Sequence, residues 1–288
     1  VSRSTRGRGH RLKRQTVVEF LNMTTTRRTK MILPSVAISL MTVVSAVAGL
    51  NVALPSIARD TGATQTDLTW IVDSYTVVFA GLLLLAGAVS DKFGRRLTLT
   101  TGLLCYGIAS SFGLFVHEPL QLIAVRIITG IGAAFIMPST LAVITSSFEK
   151  EERAKAVSVW VGVAGGGAFV GLFGTSYLLK FYEWNSFFGL NLALAAIGLV
   201  MTLAFIPESR IDAKAALDWR GGALSVVGVG AIVLGIIEGP EQGWASAMCL
   251  GSIALGIVAL GLFVRHELRT RDPLIDPREF RNRGFSAG

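Results

Sequence analysis

Two ionisable residues stand inside runs that are otherwise apolar: Arg126 within Leu120–Ser146 and Asp73 within Leu68–Val89. A charge in such a stretch is costly in lipid and normally faces a bundle interior or a water-filled cavity. Desolvation favours the protonated form of a carboxylate, and a nearby guanidinium favours the ionised form. A carboxylate whose surroundings change can therefore load and release a proton. Proton transfer coupled to movement is the chemistry this pair could do, with Asp73 as carrier and Arg126 as its modulator. Each residue also has a plainer reading. Arg126 lies about six residues from the start of its run, so its side chain could snorkel to the interface. Asp73 could be a water-exposed interfacial carboxylate. Gly130, Ala133 and Ala134 follow Arg126 on the same or an adjacent helix face, where small side chains admit a neighbouring helix.

A third cluster lies between two apolar runs: Gly87-Ala-Val-Ser-Asp91-Lys92-Phe-Gly94-Arg95-Arg96. Basic residues in a short connection stay on the inner side of a membrane. Gly87 and Gly94 are expected to let the chain turn tightly there. Charge alone is consistent with a solvated basic turn, but the ordered pattern of glycine, acid, base, glycine and two bases is more specific than charge content.

The elements that carry these residues are long. Runs of sufficient length to span a bilayer cover roughly 31–57, 68–89, 97–116, 120–146, 156–179, 187–206, 221–237 and 245–264, about eight in all. They are twice the length of a barrel strand and do not alternate in polarity, so helices are expected. The chain is 51% hydrophobic and 16% charged over 288 residues, which excludes an ordinary soluble domain. Of 27 Lys and Arg, 24 fall in alternate connections and tails if the N-terminus is placed inside, and only Arg59 and Lys180 fall outside. The expected topology is multi-pass with a cytoplasmic N-terminus, in the cell membrane. The net charge of +8 is absorbed by this asymmetry, so no nucleic-acid partner is needed. Cys105 and Cys249 lie in apolar runs and read as packing residues, and His10, His117 and His266 lie near span ends or in tails. No metal, cofactor or enzymatic site is expected. The fifth run is rich in glycine, and Gly162, Gly166, Gly167 and Gly171 pair at four-residue spacing, which favours close helix packing. A dinucleotide-binding loop is a poor alternative, because no strand precedes these glycines.

The loop pattern 87–96 resembles the loop signature of the major facilitator superfamily of transporters. Arg126-Ile-Ile-Thr-Gly-Ile-Gly-Ala-Ala-Phe-Ile-Met-Pro138 resembles the fourth-helix signature of its proton-linked antiporters, with Thr129 where the family commonly has Gln. Asn51-Val-Ala-Leu-Pro55-Ser-Ile and the segment around Asp73 resemble the fourteen-spanner drug:proton antiporter branch, the EmrB/QacA type. That branch usually places an Asp where this chain has Ala46, so Asp73 is the preferred substitute. In the fifth helix, Leu172 replaces the expected proline, and Thr175 and Ser176 replace a glycine pair.

The resemblance implies an all-α polytopic membrane protein. Residues 1–30 would be a basic, disordered cytoplasmic tail, with Met23 as a candidate start. Residues 31–206 would form a six-helix bundle, 207–265 a linker and an extra helix pair, and 266–288 a cytoplasmic segment. A second bundle would follow beyond this sequence. The implied function is proton-coupled efflux of drugs or other small apolar or cationic compounds. Asp91, Lys92, Arg95 and Arg96 would act as a cytoplasmic gate loop, and the lipid bilayer, protons, a small-molecule substrate and the second bundle or a second chain would be the partners. A non-transporting fragment, or a half-unit needing a partner chain, is the alternative.

Overall fold

A computed structural model describes residues 5–210, 217–270 and 274. Among the described residues eight helices run in chain order: α1 (Thr5–Thr61), α2 (Gln65–Phe93), α3 (Arg95–Gly113), α4 (Pro119–Ser147), α5 (Lys150–Leu178), α6 (Ser186–Phe205), α7 (Trp219–Gln242) and α8 (Ala247–Glu267). Seven are long and apolar enough to cross a membrane; α3 is the exception, because its 19 residues open on Arg95 and Arg96. The backbone from Thr5 onward is continuous with α1. Arg, Lys and Gln are good helix formers, no proline precedes Pro34, and a formed helix propagates backwards without a new nucleus. Residues 271–273 and 275–288 lie outside the described residues, as do 211–216 of the linker.

Local chemistry sets the breaks. Thr64 and Asp67 form a reciprocal capping box at the start of α2. Pro119 opens α4 after Glu118, where its missing N–H costs nothing. Gly94 separates α2 from α3 with a φ of 116°.

The first six helices share one core. α4 packs against α2, α3 and α1, and α1 packs in turn against α5 and α6. α3 closes the ring onto α6. The extra pair is a hairpin of α7 on α8, attached through α7 to the outer face of α2. At that contact a Cβ on Gly81 would lie 3.1 Å from the Val226 carbonyl oxygen and 3.5 Å from the Gly230 Cα, so backbone meets backbone. Inside the bundle α1 presents a stripe of hydroxyls, Ser35, Ser39, Thr42 and Ser45, all buried. Ser35, Ser39 and Thr42 satisfy themselves on their own helix backbone, as between Ser39 Oγ and the Ser35 carbonyl at 2.9 Å. This keeps the polar atoms from being orphaned while the helix lies in an apolar medium.

Candidate functional site: a buried arginine and a capped loop

Arg126 sits where α4 crosses α2. Gly130, one turn along, makes the crossing close: a Cβ there would fall 2.9 Å from the Tyr75 carbonyl oxygen. The guanidinium lies over the Tyr75 ring, 4.1 Å from its centroid, and Nε donates to the Ile71 carbonyl at 3.0 Å. Arg126 is 2% exposed, which rules out snorkelling. Neither partner is a carboxylate. A desolvated cation over an aromatic ring gains about 2 kcal/mol, less than the cost of burying the charge.

The surrounding shell is polar but neutral. The Tyr75 hydroxyl donates to the Val43 carbonyl on α1 at 3.1 Å. On the far side of α4, the Tyr106 hydroxyl and Ser45 Oγ both donate to Asn191 Oδ1, at 3.3 and 3.2 Å, and Asn191 Nδ2 donates to the Phe187 carbonyl at 2.9 Å. Thr129 turns back to the Arg126 carbonyl at 3.0 Å. Ala46 is fully buried, on the α1 face that carries Val43. An acid at that position would stand in the core; this chain places a methyl group there.

Asp73 lies elsewhere. Ile71 and Tyr75 meet Arg126, and Asp73 between them projects roughly 200° away around α2. It is half-buried and lines a cavity of about 430 Å³ with Leu54, Pro55, Gln65, Leu68, Thr69 and Val72. The cavity opens between the end of α1 and the start of α2. Asp73 thus points away from the face of α2 that meets Arg126 of α4.

In the loop, the two glycines have different roles. Gly87 lies inside α2, and a Cβ there would meet only the Pro138 Cβ at 3.9 Å, an ordinary contact. The expectation that Gly87 turns the chain is corrected: α2 continues to Phe93 because nothing interrupts its hydrogen bonds before Gly94. Gly94 makes the turn, with positive φ, and a Cβ there would fall on the Glu208 carboxylate. Asp91 accepts from Arg95 Nη2 at 3.3 Å, and the Arg96 guanidinium donates to the Leu203 carbonyl of α6 at 2.6 Å. Both arginines are therefore engaged within the first bundle, while the Asp91 side chain stays 47% exposed. Lys92 lies beside the Phe93 ring, 5.7 Å from its centroid. Replacing Gly94 by Ala is expected to cost about 1–3 kcal/mol of backbone strain before the clash is counted, whereas Gly87→Ala, inside a helix with only an ordinary contact, is expected to hold or slightly raise the melting temperature. Melting curves of the two variants in detergent check this contrast.

The glycines of α5 also divide. Gly167 and Gly171 pack on α1: Cβ atoms there would approach the Met41 Cα to 3.3 Å and the Ser45 Cα to 2.7 Å. At Gly162, Gly165 and Gly166, nothing among the described residues lies within 4 Å of a Cβ. Helical spacing puts them on the face turned away from α1.

The family model described as Major Facilitator Superfamily matches residues 36–279. The chain belongs to the major facilitator superfamily. This is a superfamily of membrane transporters rather than enzymes. The puromycin resistance protein of Streptomyces alboniger is 37% identical over 230 residues, covering 79% of this chain and 45% of that protein. The methylenomycin A resistance protein of Streptomyces coelicolor is 33% identical, covering 82% and 50%. The methyl viologen resistance protein of Salmonella typhimurium is 32% identical, covering 83% and 48%. The chain spans about half the length of the curated relatives it matches. A proton-dependent oligopeptide transporter shares the fold with a TM-score of 0.57 at 18% identity, covering 84% of this chain and 56% of that one.

Several residues of this superfamily bundle were not singled out from sequence. Tyr75, Tyr106 and Asn191 were legible as polar groups inside apolar runs. Glu208 and the pair Asp218–His266 were not, because their partners are distant in sequence. His266 Nε2 lies 2.7 Å from Asp218 Oδ2, and Asp218 Oδ1 also accepts from the Gly221 N–H at 2.9 Å, so one carboxylate caps α7 and fastens it to the end of α8.

Proposed function

We propose that this chain is the first bundle and central helix pair of a fourteen-spanner drug:proton antiporter, exporting small apolar or cationic compounds across the cell membrane. The observation that carries the reading is the fully buried Arg126 at the α2–α4 crossing of a bundle whose relatives bear drug-resistance names. A structural cation would be placed more cheaply at the surface, and a buried one beside neutral partners keeps a fixed positive potential where a proton must come and go.

In this reading the N-terminus and the 87–96 loop are cytoplasmic. Substrate lies between the first bundle and a second one, supplied by a longer chain or a partner. The two bundles rock about that site. Asp73 takes up a proton from the cavity it lines and releases it when the rocking changes its surroundings. Arg126 sets the local potential, and Asp91 reaches the second bundle to hold the loop side shut. With Ala46 in place of an acid on α1, coupling rests on α2.

Replacing Asp73 by Asn in the full-length protein tests the reading. Everted membrane vesicles supplied with puromycin or methyl viologen should show drug-driven proton flux that the variant abolishes. Undiminished flux in the variant removes Asp73 from the mechanism.

A further inference from the structure

The loop signature leaves one question open: why its second glycine must be a glycine. Positive φ is half of the answer, and the other half is Glu208. The segment 207–210, just after α6, lies across the N-terminus of α3. Glu208 Oε1 accepts from the Arg96 N–H at 3.2 Å and Oε2 from the Leu97 N–H at 3.1 Å. The Ser209 carbonyl accepts from the Arg95 N–H at 2.9 Å, and the Thr98 N–H returns to the Gly94 carbonyl at 3.0 Å. Every N–H of the first turn of α3 is thereby satisfied, three of them by this strap. A carboxylate at that end also meets the positive end of the helix dipole.

Further contacts surround the strap. The Ser209 N–H donates to Glu208 Oε1 at 3.1 Å, Ser209 Oγ lies 3.3 Å from Ser146 Oγ at the end of α4, and the Arg96 side chain reaches the Leu203 carbonyl on α6. A side chain at position 94 would occupy the place of the Glu208 carboxylate.

We infer that Glu208 is the positioning residue of the 87–96 gate loop. It holds the start of α3 and Gly94 fixed against α4 and α6, and so sets where Arg95 turns toward Asp91 and where Asp91 projects. The inference rests on the gate reading of that loop and adds to it the residue that fixes its geometry.

The test uses the full-length protein in everted vesicles, with puromycin as probe. Glu208→Ala should lower Vmax about tenfold while KM for puromycin stays at its wild-type value. Glu208→Gln should fall between, since its amide oxygen can still accept one N–H but brings no charge. In a background of Lys92→Cys, Glu208→Ala should also speed labelling by a membrane-impermeant maleimide added on the loop side. Asp91→Asn is measured in parallel. If Asp91→Asn is inactive while Glu208→Ala transports normally, the Glu208 assignment is overturned and the gate reading stands. If both transport normally, the gate reading itself fails. A fall in Vmax that only matches the loss of folded protein, with unchanged labelling, would mark Glu208 as a structural cap only and overturn the proposal.

Discussion

If the chain works as proposed, Arg126→Met should lower drug export by about tenfold or more while leaving the bundle folded. The two halves of that result have separate causes. Replacing a buried ion by an apolar side chain of similar volume is often neutral or stabilising by about 1–4 kcal/mol, because the desolvation penalty disappears. Nothing is orphaned in the exchange. The Ile71 carbonyl that Nε engages is a helical acceptor and retains its bond within α2. The Tyr75 hydroxyl keeps its bond to the Val43 carbonyl. Thioether contact with the Tyr75 ring replaces part of the cation–π attraction. The melting temperature in detergent should therefore hold or rise by a few degrees. Transport, by contrast, should fall by about tenfold or more, since even about 1.4 kcal/mol of lost electrostatic modulation costs a factor of ten. Arg126→Lys should not restore it: an ammonium cannot stack flat on Tyr75 while donating sideways to Ile71. A variant that exports puromycin at the wild-type rate would show that the buried charge has no part in coupling. A variant that unfolds would show that Arg126 holds the α2–α4 crossing together.

The helical class and the span positions were legible because lipid leaves so few solutions for a long apolar run, and each of the eight runs became one helix. Charge asymmetry added an expected orientation. Arg126 stood out for the same reason: a lone cation in an apolar stretch has few places to be. What could not be read was which face each residue occupies once two helices cross. Gly87 and Gly94 share one pattern, yet only Gly94 has positive φ and stands beside the Glu208 carboxylate, more than a hundred residues away in sequence. Gly166 and Gly167 are adjacent in sequence and differ by about 100° around the helix, so one meets α1 and the other meets nothing described. Asp73 and Arg126 looked like a pair from composition, and the helical phase of Ile71, Asp73 and Tyr75 separates them.

That phase difference on α5 supports the second large effect. Gly171→Ala should destabilise the bundle strongly, whereas Gly166→Ala should not destabilise it at all. At Gly171 the added methyl would lie 2.7 Å from the Ser45 Cα and 2.8 Å from its carbonyl carbon, both backbone atoms that cannot rotate aside. The opposing surface is equally tight: a Cβ on Gly49 of α1 would meet the Gly171 carbonyl oxygen at 3.0 Å and a Phe187 ring carbon at 3.0 Å. α1 and α5 would have to move apart, and overpacking of this kind costs about 1–3 kcal/mol. The displacement would also reach Ser45, whose hydroxyl binds Asn191, and so loosen the polar shell on the α1–α6 side. At Gly166 the methyl enters open space, and exchanging glycine for alanine in a helix gains up to about 1 kcal/mol. Thermal unfolding of the two single variants separates these expectations, and a large loss at Gly166 would mean that α5 is rotated from its position here. Transport then carries the further information. If the Gly162–Gly166 face meets a second bundle in the full-length protein, Gly166→Ala should reduce export while leaving stability alone, because the methyl would obstruct a surface that must approach and part during rocking. If export is unchanged as well, that face of α5 meets lipid, and the surface opposing the second bundle lies elsewhere on the first.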